Sequence, residues 1–148
     1  MGNRRHFYLA ADEHLNEARE AGAEVALLLI DLDRFKDINN TLGHQAGDVL
    51  LHEVAQRLRR ILPAACVLAR LGGDEFVTLL PTTDRPTSAV HSAERFLCAL
   101  DEPIYVDGLA IRVRASIGIA ASHQADDDRA TLLRHADVAM YQAKAKGS

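Results

Sequence analysis

Two acidic points in the chain could do chemistry. Asp31 follows an unbroken apolar run, and Asp74-Glu75 follows a pair of glycines. The second point lies in Arg70-Leu71-Gly72-Gly73-Asp74-Glu75-Phe76, between strand-like runs at Cys66–Ala69 and Phe76–Leu80. Such a segment reads as a β-hairpin with acid at its tip. Gly72 and Gly73 allow positive φ and put no Cβ in the way of a bulky anion. The carboxylates can hold a hard cation such as magnesium, which in turn holds phosphate oxygens. Asp31-Leu32-Asp33 ends its own run at the rim of a sheet, where ligands commonly bind. If the two strands are neighbours, Asp31 and Asp74 face one rim. Carboxylates about 4–6 Å apart repel unless a cation lies between them. Taken singly, the glycine string also describes a plain turn, and Asp31 also describes a helix N-cap.

Further residues suit a nucleotide. Lys36, about one helical turn beyond Asp31-Leu32, can direct its ammonium back toward a bound phosphate; alone, it would simply be solvated. The Asn39 amide can donate to O6 or N7 of guanine. The Asp48 carboxylate can accept from N1 and the 2-amino group, a pattern adenine does not offer. Asp48 also suits the start of a helix, where an acid favours the dipole. Arg70 and Lys144 are the remaining positive candidates.

The elements that must position these residues follow from periodicity. Helices are predicted over Asn3–Gly22, Arg34–Asn40, Gly47–Leu62, from a Thr87 cap to about Leu100, and over Thr131–Lys146. In the fourth, Ala89, Ala93, Phe96, Leu97 and Leu100 are expected to face inward. Gly43 reads as a break, and Pro63 ends the third helix. Val25–Ile30 is continuously apolar, as in a central strand covered on both faces. Pro81–Pro86 and His123–Asp128 read as polar loops. Asp107-Gly108 signals a hairpin between Ile104–Val106 and a strand over Leu109–Ala120. That last strand alternates, with Ile111, Val113, Ala115, Ile117 and Ile119 on one face and Arg112, Arg114 and Ser116 on the other. Hairpin-joined strands mixed with helices predict an α+β domain with a mostly antiparallel central sheet, helices on both faces and a peripheral β-hairpin.

Composition bounds the rest. The 148 residues suit one domain with one sizeable core. A net charge of −4 leaves no basic footprint for nucleic acid, so a polyanionic nucleotide needs local cations or a metal. Cys66 and Cys98 lie in apolar runs and read as buried free thiols in a reducing compartment. The seven histidines show no paired metal spacing. No apolar stretch reaches transmembrane length, and there is no signal-peptide core. A cytoplasmic location without membrane insertion is expected, though a longer parent protein could be membrane-anchored.

Five patches together carry a specific resemblance. Beside the glycine hairpin they are Asp31-Leu32-Asp33-Arg34-Phe35-Lys36, Asn39 through Asp48, Ala115-Ser116-Ile117-Gly118-Ile119-Ala120, and Ala136-Asp137-Val138-Ala139-Met140-Tyr141-Gln142-Ala143-Lys144. In this order they resemble the GGDEF domains, the diguanylate cyclase family. The resemblance implies a ferredoxin-like palm core and the condensation of two GTP into cyclic di-GMP and pyrophosphate, a bacterial second-messenger reaction. It implies Mg2+ (or Mn2+) held by Asp31, the Leu32 carbonyl and Asp74, with Glu75 in support. It makes Asp74, Lys36 and Glu75 catalytic. It assigns the substrate to Phe35, Lys36, Asn39, Asp48, Gly72, Gly73 and Lys144, with Arg70 either at a second base or paired with an acid. One GTP per domain implies a homodimer for turnover. Fusion to sensory or phosphodiesterase domains is expected.

The chain also departs from the family. Pro63-Ala64-Ala65-Cys66 stands where many members carry an Arg-x-x-Asp product-inhibition site, so no feedback binding of cyclic di-GMP is predicted there. Asn40 replaces a frequent Asp, and Ser148 stands where an Arg is common. The usual leading Asp-x-Leu-Thr-Gly-Leu stretch is missing. The domain is expected to be part of a longer protein and to be weakly active or inactive alone. The alternative is a catalytically degenerate GGDEF domain that binds GTP and regulates an attached or partner domain, such as a cyclic di-GMP phosphodiesterase. A palm making another nucleotide product fits Asn39 and Asp48 less well, and a purely structural module does not account for five patches.

Overall fold

The computed structural model describes residues 4–62, 67–82, 88–122 and 128–146. The elements in chain order are α1 (Arg4–Ala21), β1 (Glu24–Leu32), α2 (Phe35–Leu42), α3 (His44–Ile61), β2 (Val67–Arg70) and β3 (Glu75–Thr82). Then come α4 (Ser88–Ala99), β4 (Ile104–Val106), β5 (Leu109–Ile111), β6 (Ala115–Ala121) and α5 (Arg129–Ala145). Four strands form one sheet in the order β2-β3-β1-β6, and every neighbouring pair is antiparallel. That is the ferredoxin-like order. β4 and β5 form a separate hairpin. The α+β class, the antiparallel palm and the peripheral hairpin expected from the sequence are all present.

β1 is central because it is apolar on both sides. Its even residues Ile30 and Leu32 pack with Leu50, Val54 and Leu58 of α3 and Phe96 of α4. Its odd residues Val25, Leu27 and Leu29 pack with Phe7, Ala11 and Leu15 of α1 and Leu132, Ala136 and Met140 of α5. This period of two decides which face each rim residue serves. Asp31, being odd, falls on the α1/α5 side.

Several boundaries differ from expectation, each for a physical reason. α3 begins at His44 and not at Gly47, because the stop is Gly43, at φ 95°. Gly47 lies inside the helix, where an added Cβ would come within 2.2 Å of the Asn39 side-chain oxygen. Asp48 is therefore not a first-turn acid. The strand expected over Leu109–Ala120 is two strands, since β5 pairs with β4 and β6 pairs with β1. The change of partner leaves residues 112–114 outside both ladders. β3 runs through Pro81 to Thr82, so the loop expected from Pro81 starts later. In α4 the buried stripe is Ala89, Ala93, Phe96 and Leu100, which leaves Leu97 exposed. Cys98 is likewise exposed and not a buried thiol. The Cys66 thiol, the Thr87 cap, Pro63 and its three followers, and Ser148 lie outside the described residues. Among the described residues no helix is long and apolar enough to cross a membrane.

Arg57 joins two layers. Its Nη1 donates to the carbonyls of Ala99 (2.8 Å) and Glu102 (2.6 Å), and its Nη2 donates to Pro103 (3.2 Å). Glu53 holds the same side chain at 3.3 Å. A cation thereby satisfies carbonyls at the end of α4, where the helix dipole favours it. Arg57→Ala should lower unfolding stability by about 2 kcal/mol, since several charge-assisted bonds go at once. Urea denaturation should show a lower midpoint at an unchanged m-value.

Candidate functional site

The hairpin between β2 and β3 delivers its acids to β1. Asp31 stands opposite Glu75 of β3 on one side and Ser116 of β6 on the other. The Leu32 N–H donates to the Asp74 carbonyl at 3.1 Å, which ties the hairpin tip to the end of β1. The Leu71 N–H closes the hairpin on the Glu75 carbonyl at 2.9 Å. Arg70 Nε donates to the Gly72 carbonyl at 2.9 Å, so this guanidinium braces the tip and pairs with no acid among the described residues. Gly72 and Gly73 do not adopt positive φ, contrary to what their type suggested. Added Cβ atoms there would meet nothing within 4 Å, so the space above the tip is open.

Asp31 is 7% exposed. Its Oδ2 accepts from the Lys144 ammonium of α5, while its Oδ1 is buried with no hydrogen-bond partner. Burial pushes the Asp31 carboxyl above its usual range; the Lys144 bond pulls it down, and the neighbouring Asp74 pushes it up again. Glu75 is raised by burial and then by the charges of Asp31, Asp74 and Asp137, with Arg4 opposing. Lys144 is raised chiefly by its bond to Asp31.

These residues fit a hard cation. One buried carboxylate oxygen lacks a partner, a second carboxylate lies beside it, and the group already attracts the Lys144 ammonium. No three His, Cys, Asp or Glu side chains gather at metal distance among the described residues. The available donors are thus Asp31, Asp74 and backbone carbonyl oxygen such as that of Leu32. That sparse set suits magnesium, which typically takes one or two carboxylates and completes its shell with water and phosphate oxygens.

The sign of the pH dependence follows. A carboxyl raised in the fold binds more protons folded than unfolded, so its charge opposes folding. The contribution of such a carboxyl to stability is greatest below the ordinary carboxylate range and falls as pH rises through the raised value. In chelator, Glu75→Gln should therefore melt above the parent at pH 7. The gap should close toward pH 4 and shrink on adding Mg2+, which differential scanning calorimetry can read.

A second group lies on α2 and α3. Asn39 Nδ2 lies 2.8 Å from His44 Nδ1, which accepts in the Nε2-protonated tautomer. The Asn39 side-chain oxygen rests against Gly47, the residue before Asp48. Asp48 is exposed, as is Lys36 on α2. The Phe35 ring is buried in the core, 8% exposed, so any contact with a ligand falls to its backbone. His44 was missed by sequence reasoning, although a His one residue past the Gly43 break is well placed to orient Asn39.

Also missed was Asp33, whose Oδ1 accepts from the Ser116 hydroxyl at 2.8 Å. It borders a cleft of about 840 Å³ on one flank of α2, lined in part by Arg34, Asp37, Thr41, Arg112, Arg114 and Lys144.

Known proteins match this arrangement. A family model for the GGDEF domain of diguanylate cyclases matches residues 1–148. The chain is 41% identical over 151 residues to diguanylate cyclase TpbB of Pseudomonas aeruginosa, covering 100% of this chain and 35% of that protein. It is 39% identical over 136 residues to the bifunctional diguanylate cyclase/cyclic di-GMP phosphodiesterase MucR of the same organism, covering 92% of this chain and 20% of that protein. The crystal structure of the GGDEF domain of TpbB (YfiN) superposes with a TM-score of 0.93 at 40% identity, covering 99% of this chain and 91% of that one. The chain spans 35% or less of these two curated relatives. Sequence, fold and rim geometry agree, and the chain belongs to the GGDEF domain family of diguanylate cyclases.

Proposed function

We propose that the domain is a diguanylate cyclase half-site. Two copies, each holding one GTP, face each other and form cyclic di-GMP with release of two pyrophosphates. The observation that carries this reading is the convergence of Asp31 and Asp74 at one rim, with an unpartnered carboxylate oxygen between the chain's two acidic motifs.

Asn39, oriented by His44, donates to the guanine O6 or N7. Asp48 accepts from N1 and the 2-amino group. Asp31, Asp74 and the Leu32 carbonyl hold Mg2+ or Mn2+, with Glu75 in support. When bound, the ion lowers the pKa of a coordinated hydroxyl and neutralises phosphate charge. Asp74 takes the proton from the ribose 3′-hydroxyl that attacks the α-phosphate of the other GTP. Lys36, Lys144 and the Phe35 backbone bind and orient the phosphates, while Gly72 and Gly73 let the nucleotide approach the hairpin. For Lys144 this requires leaving Asp31, a move of one flexible side chain. Arg70 holds the hairpin tip in place for the second base. The relatives' greater length supports placing the domain in a longer signalling protein, joined to sensory or phosphodiesterase modules.

The Lys144–Asp31 pair favours a second reading, in which that cation takes the metal's place permanently and the domain binds GTP only to regulate a partner. One assay separates the two. The protein, with and without forced dimerisation, is incubated with GTP and Mg2+, and cyclic di-GMP and pyrophosphate are quantified. Both products should appear, faster in the forced dimer. GTP binding without turnover in the forced dimer establishes the regulatory role instead.

A further inference from the structure

The cleft on the flank of α2 is not the base site. Arg34, Asp37, Ile38, Thr41 and Leu42 line it. At 100° per residue, Lys36 and Asn39 fall on another side of the helix. Its other wall is the 112–116 segment.

Its charge is unusual for this chain. Arg34, Arg112 and Arg114 line the cleft, and none of their three guanidinium groups has a hydrogen-bond or ion-pair partner among the described residues. Three unpaired guanidinium groups on one concavity contrast with a net charge of −4 overall. The acids that line it are Asp33, which accepts from Ser116, and Asp37. Lys144 reaches the same wall while bound to Asp31.

The arginines are held from behind. Val113 is 3% exposed, and the Arg114 carbonyl accepts from the Asp33 N–H at 2.8 Å. In extended backbone this anchors the middle residue inward and turns Arg112 and Arg114 to one side. Arg34 has φ 57° and ψ 28°, a left-handed conformation rare for a residue with a Cβ. Such backbone conformations concentrate at functional sites.

We propose that this cleft is a second anion site that takes a phosphoanhydride group. Several guanidinium forks suit a ligand with oxygens on two adjacent phosphorus atoms. A volume of about 840 Å³ admits a ligand of nucleotide size. The anion site stands on the cleft alone. Its assignment to phosphoanhydride rests on the function proposed above, because Lys144 connects the cleft to the rim where pyrophosphate would leave. The group is either free pyrophosphate or the phosphate tail of a nucleotide.

The test is calorimetric titration of inorganic pyrophosphate into the whole chain without metal, at fixed low salt. The parent should bind saturably. Arg112→Ala/Arg114→Ala should weaken binding at least about tenfold, and the Lys pair should fall between, keeping charge without the fork. Asn39→Ala/Asp48→Ala should bind pyrophosphate within about twofold of the parent. GTP titrated into that base-site variant identifies the source: binding that is lost on adding the two arginine changes marks a nucleotide tail, and no GTP binding marks free pyrophosphate. Absence of saturable binding, binding indifferent to the arginine pair, or equal loss in the base-site variant overturns the proposal. Failure of the parent to bind GTP strikes the base site and leaves this one standing. The arginines are exposed, so thermal midpoints should confirm that every variant is folded.

Discussion

Asp74→Asn should reduce cyclic di-GMP formation by at least about a hundredfold, the scale on which removing one preorganised charge slows a reaction. The change keeps the shape of the side chain and removes its charge. The Asp74 carbonyl still accepts from the Leu32 N–H, so the hairpin stays attached to β1. In chelator the variant should be at least as stable as the parent, because one member of a mutually repelling set is gone. GTP binding through Asn39 and Asp48 should survive in part, so the loss should fall mainly on kcat. A folded, GTP-binding variant with near-parental turnover would contradict the catalytic role given to Asp74.

Gly118→Ala should cost about 3 kcal/mol of stability, the upper end for overpacking a well-filled interior. In a protein of this size that is a fall of roughly 10 °C in melting temperature. An added Cβ would lie 1.9 Å from the Ala136 carbonyl oxygen and 2.6 Å from the Met140 nitrogen. Both are backbone atoms of α5, so no side-chain rotation relieves the clash and the helix must lift from the sheet. Lys144 would move with it, and the melting loss should come with a loss of activity. Gly73→Ala is the control: nothing lies within 4 Å, and stability should change by less than about 0.5 kcal/mol. Equal melting temperatures for Gly118→Ala and the parent would show that α5 does not sit on β6 as described.

The fold was legible where a pattern has one physical meaning. Val25–Ile30 could only be buried on both faces, and it became the central strand. Asp107-Gly108 made its hairpin. Gly47 misled because glycine marks both helix ends and close approaches; only the position of Asn39 tells the two apart. The same ambiguity hid Gly118. In the site, the meeting of Asp31 with the Asp74 hairpin was legible from strand ends and motif order. The Lys144 bond to Asp31 was not, because it depends on the parity of β1 and on where α5 docks. Phe35 was legible as part of a motif but not as a core side chain. The arginines at 112 and 114 looked like the outer face of one alternating strand. They lie within a break instead, where the chain changes pairing partner.

The contact between Lys144 and Asp31 joins residues 113 positions apart. During synthesis a ribosome releases β1 through β6 before it releases α5. Until then the face of the sheet that carries Asp31 lacks its α5 cover, and contacts so distant in the chain form late. Docking of the last helix therefore seals the apolar face, buries the Asp31 carboxylate and brings its ammonium partner in one step. A message cut short before residue 129 would yield strands able to pair, with that face uncovered and that acid open to water.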